Sequence, residues 1–96
     1  MVKVIIERRV KSGSEGKLEK LLTDIRSQAM YHSPGFVSGE VLTSVADPSI
    51  RVIIGTFLTL DNWKQWENSP MRQEILRQMK PYLASRPKVA VYIARP

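Results

Sequence analysis

Residues 60–70 read Leu60-Asp61-Asn62-Trp63-Lys64-Gln65-Trp66-Glu67-Asn68-Ser69-Pro70. Asp61 is a good N-cap, so we expect a helical segment over residues 62–68. Ser69-Pro70 predicts that the helix restarts, because proline is tolerated as a first helical residue. A buried stripe at helical spacing follows, formed by Met71, Ile75, Leu76 and Met79. This stretch therefore predicts the second helical region of the chain, around which the other elements are arranged.

A helix and two strands precede this region. Apolar residues recur at helical spacing from Leu18 to Ala29, which predicts a first helix from about residue 14 to residue 30. It ends at His32-Ser33-Pro34-Gly35, because the residue before a proline leaves the helical region and glycine turns freely. Residues 36–45 and 51–60 are predicted as strands, and the residues between them have the composition of a turn.

The two ends of the chain alternate apolar and other residues with the period of a strand. This holds for residues 2–10 and again for residues 88–94. The order of elements is therefore β-α-β-β-α-β, the pattern of a ferredoxin-like α+β sheet with both helices on one face. The 96 residues suffice for one such domain, spanning 1–96, and for no second one.

Large apolar residues occupy both sides of the predicted strands. They include Ile5, Leu42, Ile53, Phe57 and Tyr92. A second copy of the chain packed sheet to sheet would cover the exposed set, so we expect a homodimer. The alternative is that Ile5 and Tyr92 are single exposed apolar residues of the ordinary kind.

Composition excludes several classes of site. The chain has no cysteine and one histidine, His32, so one subunit offers neither a thiolate nor a histidine-rich metal site. The net charge of +6 is spread along the chain among acids, which favours a solvated surface over a nucleic-acid track. No apolar run is long enough to span a bilayer or to form a signal peptide core, so we expect a soluble, cytoplasmic protein.

Asn62 and Trp66 are the candidate binding pair. They are four residues apart, so a helix presents an amide and a large flat ring on one face, where they could bind an aromatic ligand. The alternative is that Trp66 belongs to the core and Asn62 bonds its own backbone in the first helical turn.

The chain resembles the antibiotic biosynthesis monooxygenase domain family from Val4 to Tyr92. The resemblance rests on the order of elements, on Ser33-Pro34-Gly35-Phe36, and on residues 63–70, which look like the tryptophan-x-x-serine signature of the family. It implies a dimeric α+β barrel of two ferredoxin-like subunits.

The haem-degrading branch of that family uses an asparagine, a tryptophan and a histidine that ligates iron. Trp66 matches the tryptophan, but the asparagine position falls at Arg8 and the histidine position at Leu76, and leucine cannot ligate iron. His32 lies in another segment. We therefore expect neither haem nor any other metal or cofactor.

The other branch oxidises hydroquinones and anthrones with O₂ and without metal or flavin. Resemblance to it implies that Asn62, Trp66 and Arg86 surround the oxygens of the substrate. A tyrosine expected early in the second helix is Arg72 here, so the proton donor is open, with Tyr31 and Tyr82 as candidates. Arg86 has an alternative interpretation as a surface residue.

The resemblance therefore predicts an oxidoreductase, a cofactor-independent monooxygenase acting on a small aromatic substrate with O₂. The competing hypothesis is a non-catalytic small-molecule-binding or stress-associated domain with the same pocket, because one fold hosts several functions.

Overall fold

The computed structural model describes residues 1–95 and contains one four-stranded antiparallel sheet with helices packed against it. In chain order the elements are β1 (Val2–Arg9), α1 (Glu15–His32), β2 (Phe36–Thr43), β3 (Ile50–Phe57), α2 (Leu60–Glu67), α3 (Pro70–Met79), a 3₁₀ turn (Lys80–Tyr82) and β4 (Lys88–Ile93). The strands lie in the order β2-β3-β1-β4. This confirms the predicted ferredoxin-like α+β fold. Over residues 1–95, no helix is long and apolar enough to cross a membrane.

The second helical region is divided in two, as the sequence predicts, but the cap of α2 differs from the prediction. Thr59 has extended backbone angles, and its side chain accepts a hydrogen bond from the Asn62 N–H at 3.1 Å. Asp61 lies inside the first turn, where a negative charge favours the helix N-terminus without capping it. Ser69 caps α3, its side chain accepting from the Arg72 N–H at 3.1 Å with Pro70 in the first turn.

The core fills the space between the sheet and the helices. One cluster contains residues of β1 and β3 together with α1 and α2: Val2, Val4, Ile6, Ala29, Phe57, Trp63 and Trp66. The other joins the end of β1 to α1 and α3: Val10, Leu18, Leu22 and Met79. The even-numbered residues of β1 therefore point at the helices.

The opposite face of the sheet carries the remaining apolar residues. Ile5 lies opposite Ile54 and Ala90, and Leu42 lies opposite Val52. Tyr92 is on this face as well, because it pairs with Lys3. Ile53 and Phe57, by contrast, pair with Ile6 and Val2 on the side of the helices. The five apolar residues from the sequence are thus divided between the two faces.

Candidate functional site

A cavity opens between the sheet and helices α1, α2 and α3. The cavity volume is about 60 Å³, measured as the space that the centre of a water molecule can reach. On the same measure one water needs roughly 10–15 Å³, so the cavity has room for several. Its lining consists of Val4, Ile6, Arg8, Leu22, Ile25, Arg26, Ala29, Phe36, Gly39, Val41, Ile53, Gly55, Phe57, Trp63, Trp66 and Arg72.

Aromatic rings form much of the cavity wall. Phe36 meets Phe57 edge to face, with ring centroids 5.6 Å apart, and Phe57 lies 5.4 Å from Trp63 at a tilt of 60°. Trp66 is buried one turn further along α2. Gly39 and Gly55 face each other on β2 and β3, where the absence of side chains leaves room beside the rings. The wall therefore offers ring faces and edges to a flat apolar molecule.

Two buried arginines supply the polar part of the cavity. Arg8 is at the end of β1, on the same face as Val4 and Ile6, and is only 2% exposed. Arg72, on the first turn of α3, is 5% exposed, and its guanidinium lies 5.1 Å from the centroid of the Trp63 ring. One of its terminal nitrogens also approaches the Glu67 carbonyl oxygen at 3.4 Å.

The surroundings of these arginines lower their pKa values. Burial, and then repulsion by Arg72, lowers the pKa of Arg8 to about 10. Burial also lowers the pKa of Arg72, while the carboxylate of Glu67 acts in the opposite direction. With a pKa of about 10, Arg8 is charged near neutral pH, and an arginine side chain such as Arg72 keeps its proton in proteins. The cavity is thus apolar over most of its wall and positively charged at one end.

Arg51 shows how the same face of the sheet accommodates a buried arginine that has partners. It lies directly opposite Arg8 on β3 and is also buried. Its guanidinium donates to the Pro48 carbonyl oxygen and to the Glu19 carboxylate, the latter at 3.2 Å. Arg8 has no such carboxylate partner among the described residues. The two neighbours therefore differ in how their charges are compensated.

Comparison with known proteins identifies the family. Residues 1–78 match the family model for antibiotic biosynthesis monooxygenase. The chain belongs to the antibiotic biosynthesis monooxygenase family. A sequence search among curated proteins found no match.

Solved structures resemble this antibiotic biosynthesis monooxygenase family member over nearly its whole length. A candidate antibiotic biosynthesis monooxygenase from Caulobacter crescentus is 16% identical, with a TM-score of 0.93 over 99% of this chain and 90% of that one. A second candidate, from Deinococcus radiodurans, is 18% identical, with a TM-score of 0.89 over 100% and 94%. A variant of SnoaB, a cofactor-independent oxygenase from Streptomyces nogalater, is 16% identical, with a TM-score of 0.86 over 99% and 93%. At these identities the likeness is one of fold.

The residues that the family resemblance predicts lie at different distances from the cavity. Trp66 lines it. Asn62 lies in the first turn of α2. Its side-chain oxygen accepts a hydrogen bond from the Thr59 hydroxyl at 2.8 Å, and its amide group packs against Gly35. Arg86 is exposed in the segment before β4 and does not line the cavity of this subunit. The structure thus brings Trp66 to the cavity and leaves both Asn62 and Arg86 outside its lining.

The tyrosines considered as proton donors are also away from the cavity. Tyr31 is exposed near the end of α1, and Tyr82 is half-buried in the other core cluster, where the Lys17 ammonium lies 5.5 Å from its ring centroid. Neither lines the cavity. Within residues 1–95, no group of three histidine, cysteine, aspartate or glutamate residues is arranged to hold a metal ion.

Sequence reasoning missed the site role of Arg8 and Trp63. A signal for Arg8 was present, because it continues the series Val2, Val4, Ile6 that alternates onto the buried face of β1. A charged residue at the fourth position of such a series is a candidate for a site. Trp63 had no comparable signal, because the residue spacing alone does not separate a core ring from a cavity ring.

Proposed function

We propose that the chain is a cofactor-independent monooxygenase that oxidises a small hydroquinone- or anthrone-like aromatic substrate with O₂. The observation that carries the proposal is the cavity with aromatic walls and buried guanidinium groups at one end. Membership of the antibiotic biosynthesis monooxygenase family and the fold shared with a cofactor-independent oxygenase support it.

The cavity suits the step that limits such an oxidation. An aromatic alcohol or enol reacts with O₂ once it has lost a proton, and a nearby guanidinium lowers the pKa of that group by stabilising its anion. An apolar wall strengthens this interaction by excluding water. For an anthrone, the CH₂ carbon becomes a carbonyl, one oxygen atom of O₂ enters the product and the other leaves as water. The substrate supplies all four electrons.

We assign a role to each of the three residues that the family resemblance implies. Trp66 would stack on the aromatic ring, and Asn62 would donate a hydrogen bond to a substrate oxygen near the start of α2. Arg86 would act on the same anion only if the segment before β4, or a second copy of the chain, brings it to a cavity mouth.

A second candidate function is binding without turnover. It is favoured by the absence of tyrosine, histidine and carboxylate side chains from the cavity lining within residues 1–95. A guanidinium is a poor proton acceptor, so proton removal would depend on the substrate or on water. This candidate retains the same pocket and the same preference for an anion.

Oxygen uptake separates the two functions. The purified chain should consume O₂ with members of a panel of hydroquinones and anthrones in the presence of a metal chelator. When the reaction is run under ¹⁸O₂, mass spectrometry should find one atom of ¹⁸O in the product. Asn62→Ala and Arg86→Ala should each lower turnover by about 10- to 100-fold, since a hydrogen bond to a charged group contributes roughly 1.5–3 kcal/mol. Trp66→Phe should mainly raise KM, because an apolar ring remains but contact area is lost.

Asn68→Ala and Arg77→Ala are the matched controls. Both residues are exposed and bond only within their own helical turns, Asn68 to the Lys64 carbonyl and Arg77 to Glu74. They should leave turnover unchanged. Ligand-induced stabilisation without O₂ uptake for any substrate would favour the binding function. Equal turnover in wild type, Asn62→Ala and Arg86→Ala would remove those two residues from the site.

A further inference from the structure

We infer that the cavity binds a small aromatic monocarboxylate whose carboxylate group is held between Arg8 and Arg72. This inference assigns a substrate class to the proposed active site and rests on the proposed function for that assignment alone. The binding itself is argued from the contacts of the two arginines, so it can be tested without turnover.

Within the part of the chain that the structure describes, the charge of Arg8 is buried without a compensating partner. Its side chain is almost wholly buried, yet within residues 1–95 its guanidinium has no ion pair within 4.0 Å, and its Nε is buried without a hydrogen-bond partner. The Nε of Arg51 is also buried without a partner, but the terminal nitrogens of Arg51 donate to the Pro48 carbonyl and the Glu19 carboxylate. Buried charges in proteins are ordinarily paired, because an uncompensated one is costly to remove from water. The carboxylate that Arg51 has in Glu19 is what Arg8 lacks.

Arg72 supplies a second cation whose orientation is fixed from one side. Its ring contact with Trp63 and its bond to the Glu67 carbonyl oxygen hold the guanidinium in place. No carboxylate lies within 4.0 Å of it among the described residues, although the charge of Glu67 acts on it from further away. Such a fixed guanidinium is prepared to donate two parallel hydrogen bonds to a planar anion.

The whole lining has the same sign of charge. It includes Arg8, Arg72 and, at the more exposed side, Arg26, and it includes no acidic residue. Glu67 lies outside the lining and offsets only part of the charge of Arg72, so the buried end stays positively charged. Because the rest of the wall is apolar, it suits a carboxylate on an aromatic body better than a phosphate, which is strongly hydrated on all sides. The apolar remainder of the wall, with Trp66 and Phe57, suits an aromatic body. The complementary molecule is therefore a benzoate-like acid.

Tryptophan fluorescence gives a direct measurement, since both tryptophans of the chain line the cavity. Benzoate should change the emission in a saturable way and raise the melting temperature. Benzamide has nearly the same shape without the charge, and should bind at least about tenfold more weakly. Inorganic phosphate should leave the emission unchanged. Equal binding of benzoate and benzamide, or tighter binding of phosphate, would overturn the inference.

Arg8→Met tests the residue itself. It should weaken benzoate binding at least about tenfold and leave benzamide binding unchanged, with Arg77→Met, an exposed change of equal charge, as the control. Without ligand, Arg8→Met should melt at least about 4 °C higher, because it removes an unpaired buried charge. A lower melting temperature together with unchanged benzoate selectivity would make Arg8 a purely structural residue. Arg72→Met should weaken benzoate binding in the same way.

Failure of this inference and failure of the proposed function have different signatures. Selective, Arg8-dependent benzoate binding without O₂ uptake on any hydroxylated benzoate would leave the carboxylate site standing and remove the oxygenase. Oxidation of an uncharged hydroquinone by a protein that does not distinguish benzoate from benzamide would do the reverse.

Discussion

Gly35 lies in the loop between α1 and β2 and packs against the start of α2. Its φ is +77°, in the left-handed region that glycine adopts without steric cost, and its carbonyl oxygen accepts from the Leu58 N–H at 2.8 Å. A Cβ at this position would overlap the side-chain amide of Asn62. The position of that amide at the start of α2 therefore depends on a glycine twenty-seven residues earlier.

Gly35→Ala should destabilise the protein by more than the strain of its backbone alone. Gly13→Ala is the control, because Gly13 also has a positive φ, of +85°, but open space around it. We expect Gly13→Ala to cost about 1–2 kcal/mol of unfolding free energy, and Gly35→Ala to cost more, measured by urea denaturation. Equal losses would mean that Asn62 moves aside freely.

At the residue scale, sequence reasoning could predict part of the site. Trp66 lines the cavity, and its role at a substrate, like the roles of Asn62 and Arg86, stays a prediction. Arg8 was not predicted as a site residue, because its charge was read as part of a solvated surface. What decides its role is which face of β1 the helices cover, and only the packed structure contains that information.

The helix starts show how short polar residues determine where an element begins. Ser69 and Thr59 each accept a hydrogen bond from the backbone N–H three residues later, whereas the side chain of Ser14, at the same position before α1, makes no capping hydrogen bond. Ser69 also stabilises the turn that carries Arg72. A cap is therefore coupled here to the placement of a cavity residue.

Ser69→Ala should lower the unfolding free energy by about 0.5–2 kcal/mol, because it leaves the Arg72 N–H without its acceptor. Ser14→Ala is the matched control and should change stability by no more than a few tenths of a kcal/mol. Chemical denaturation of both variants makes the comparison. A large loss in Ser14→Ala, equal to that of Ser69→Ala, would contradict the assignment of the caps.

The hairpin between β2 and β3 is held by an acidic turn. Asp47 accepts from the Ser49 hydroxyl and from Arg9, both at 2.6 Å. The Ser49 hydroxyl, then Arg9 and the Ser49 N–H, lower the pKa of Asp47 from 3.8 to about 2. Because the folded state favours the ionised form, its stabilising effect is complete above the unfolded pKa and is lost as pH falls towards 2.

Asp47→Asn should therefore flatten the decline of stability between pH 4 and pH 2. Melting temperatures across this interval provide the measurement, with Arg9→Gln expected to produce part of the same flattening because it removes one donor. Identical pH profiles for wild type and Asp47→Asn would show that the turn does not favour the charged carboxylate.

At the element scale the sequence predicted more than at any other. Periodicity located all four strands and both helical regions, because a one-sided core forces apolar residues into a period of two or 3.6. The predicted N-cap of α2, Asp61, was wrong by two residues, because Thr59 caps the helix. Both residue types are good caps, and the choice between them depends on where β3 ends. Strand β3 ends at Phe57 rather than at Leu60, because Thr59 already belongs to the helix start.

At the scale of the whole molecule, the outer face of the sheet exposes apolar residues that a second copy could cover. Leu42 and Tyr92 are 43% and 55% exposed there, beside the half-buried Ile5, Val52 and Ile54. We predict that a second copy covers this face with an interface of about 1,200–2,000 Å² in total. Light scattering should then give about twice the chain mass of 11.0 kDa.

Ile54→Lys should dissociate this dimer, because it places a charge at the centre of the outer face and leaves the core on the other side untouched. Val45→Lys, in the turn between β2 and β3 and 99% exposed, is the matched control and should remain dimeric. If the wild type is monomeric at micromolar concentration, the dimer prediction is wrong, and the apolar residues of this face are exposed to solvent as single apolar residues often are.

The cavity also determines how the protein responds to hydrostatic pressure. Unfolding abolishes the spaces that imperfect packing leaves between sheet and helices, so the chain contracts when it unfolds, and compression favours the unfolded state. A molecule that fills the cavity removes part of the contraction. Occupancy should therefore raise the midpoint of pressure denaturation beyond what affinity alone contributes, through the smaller volume change as well as through mass action.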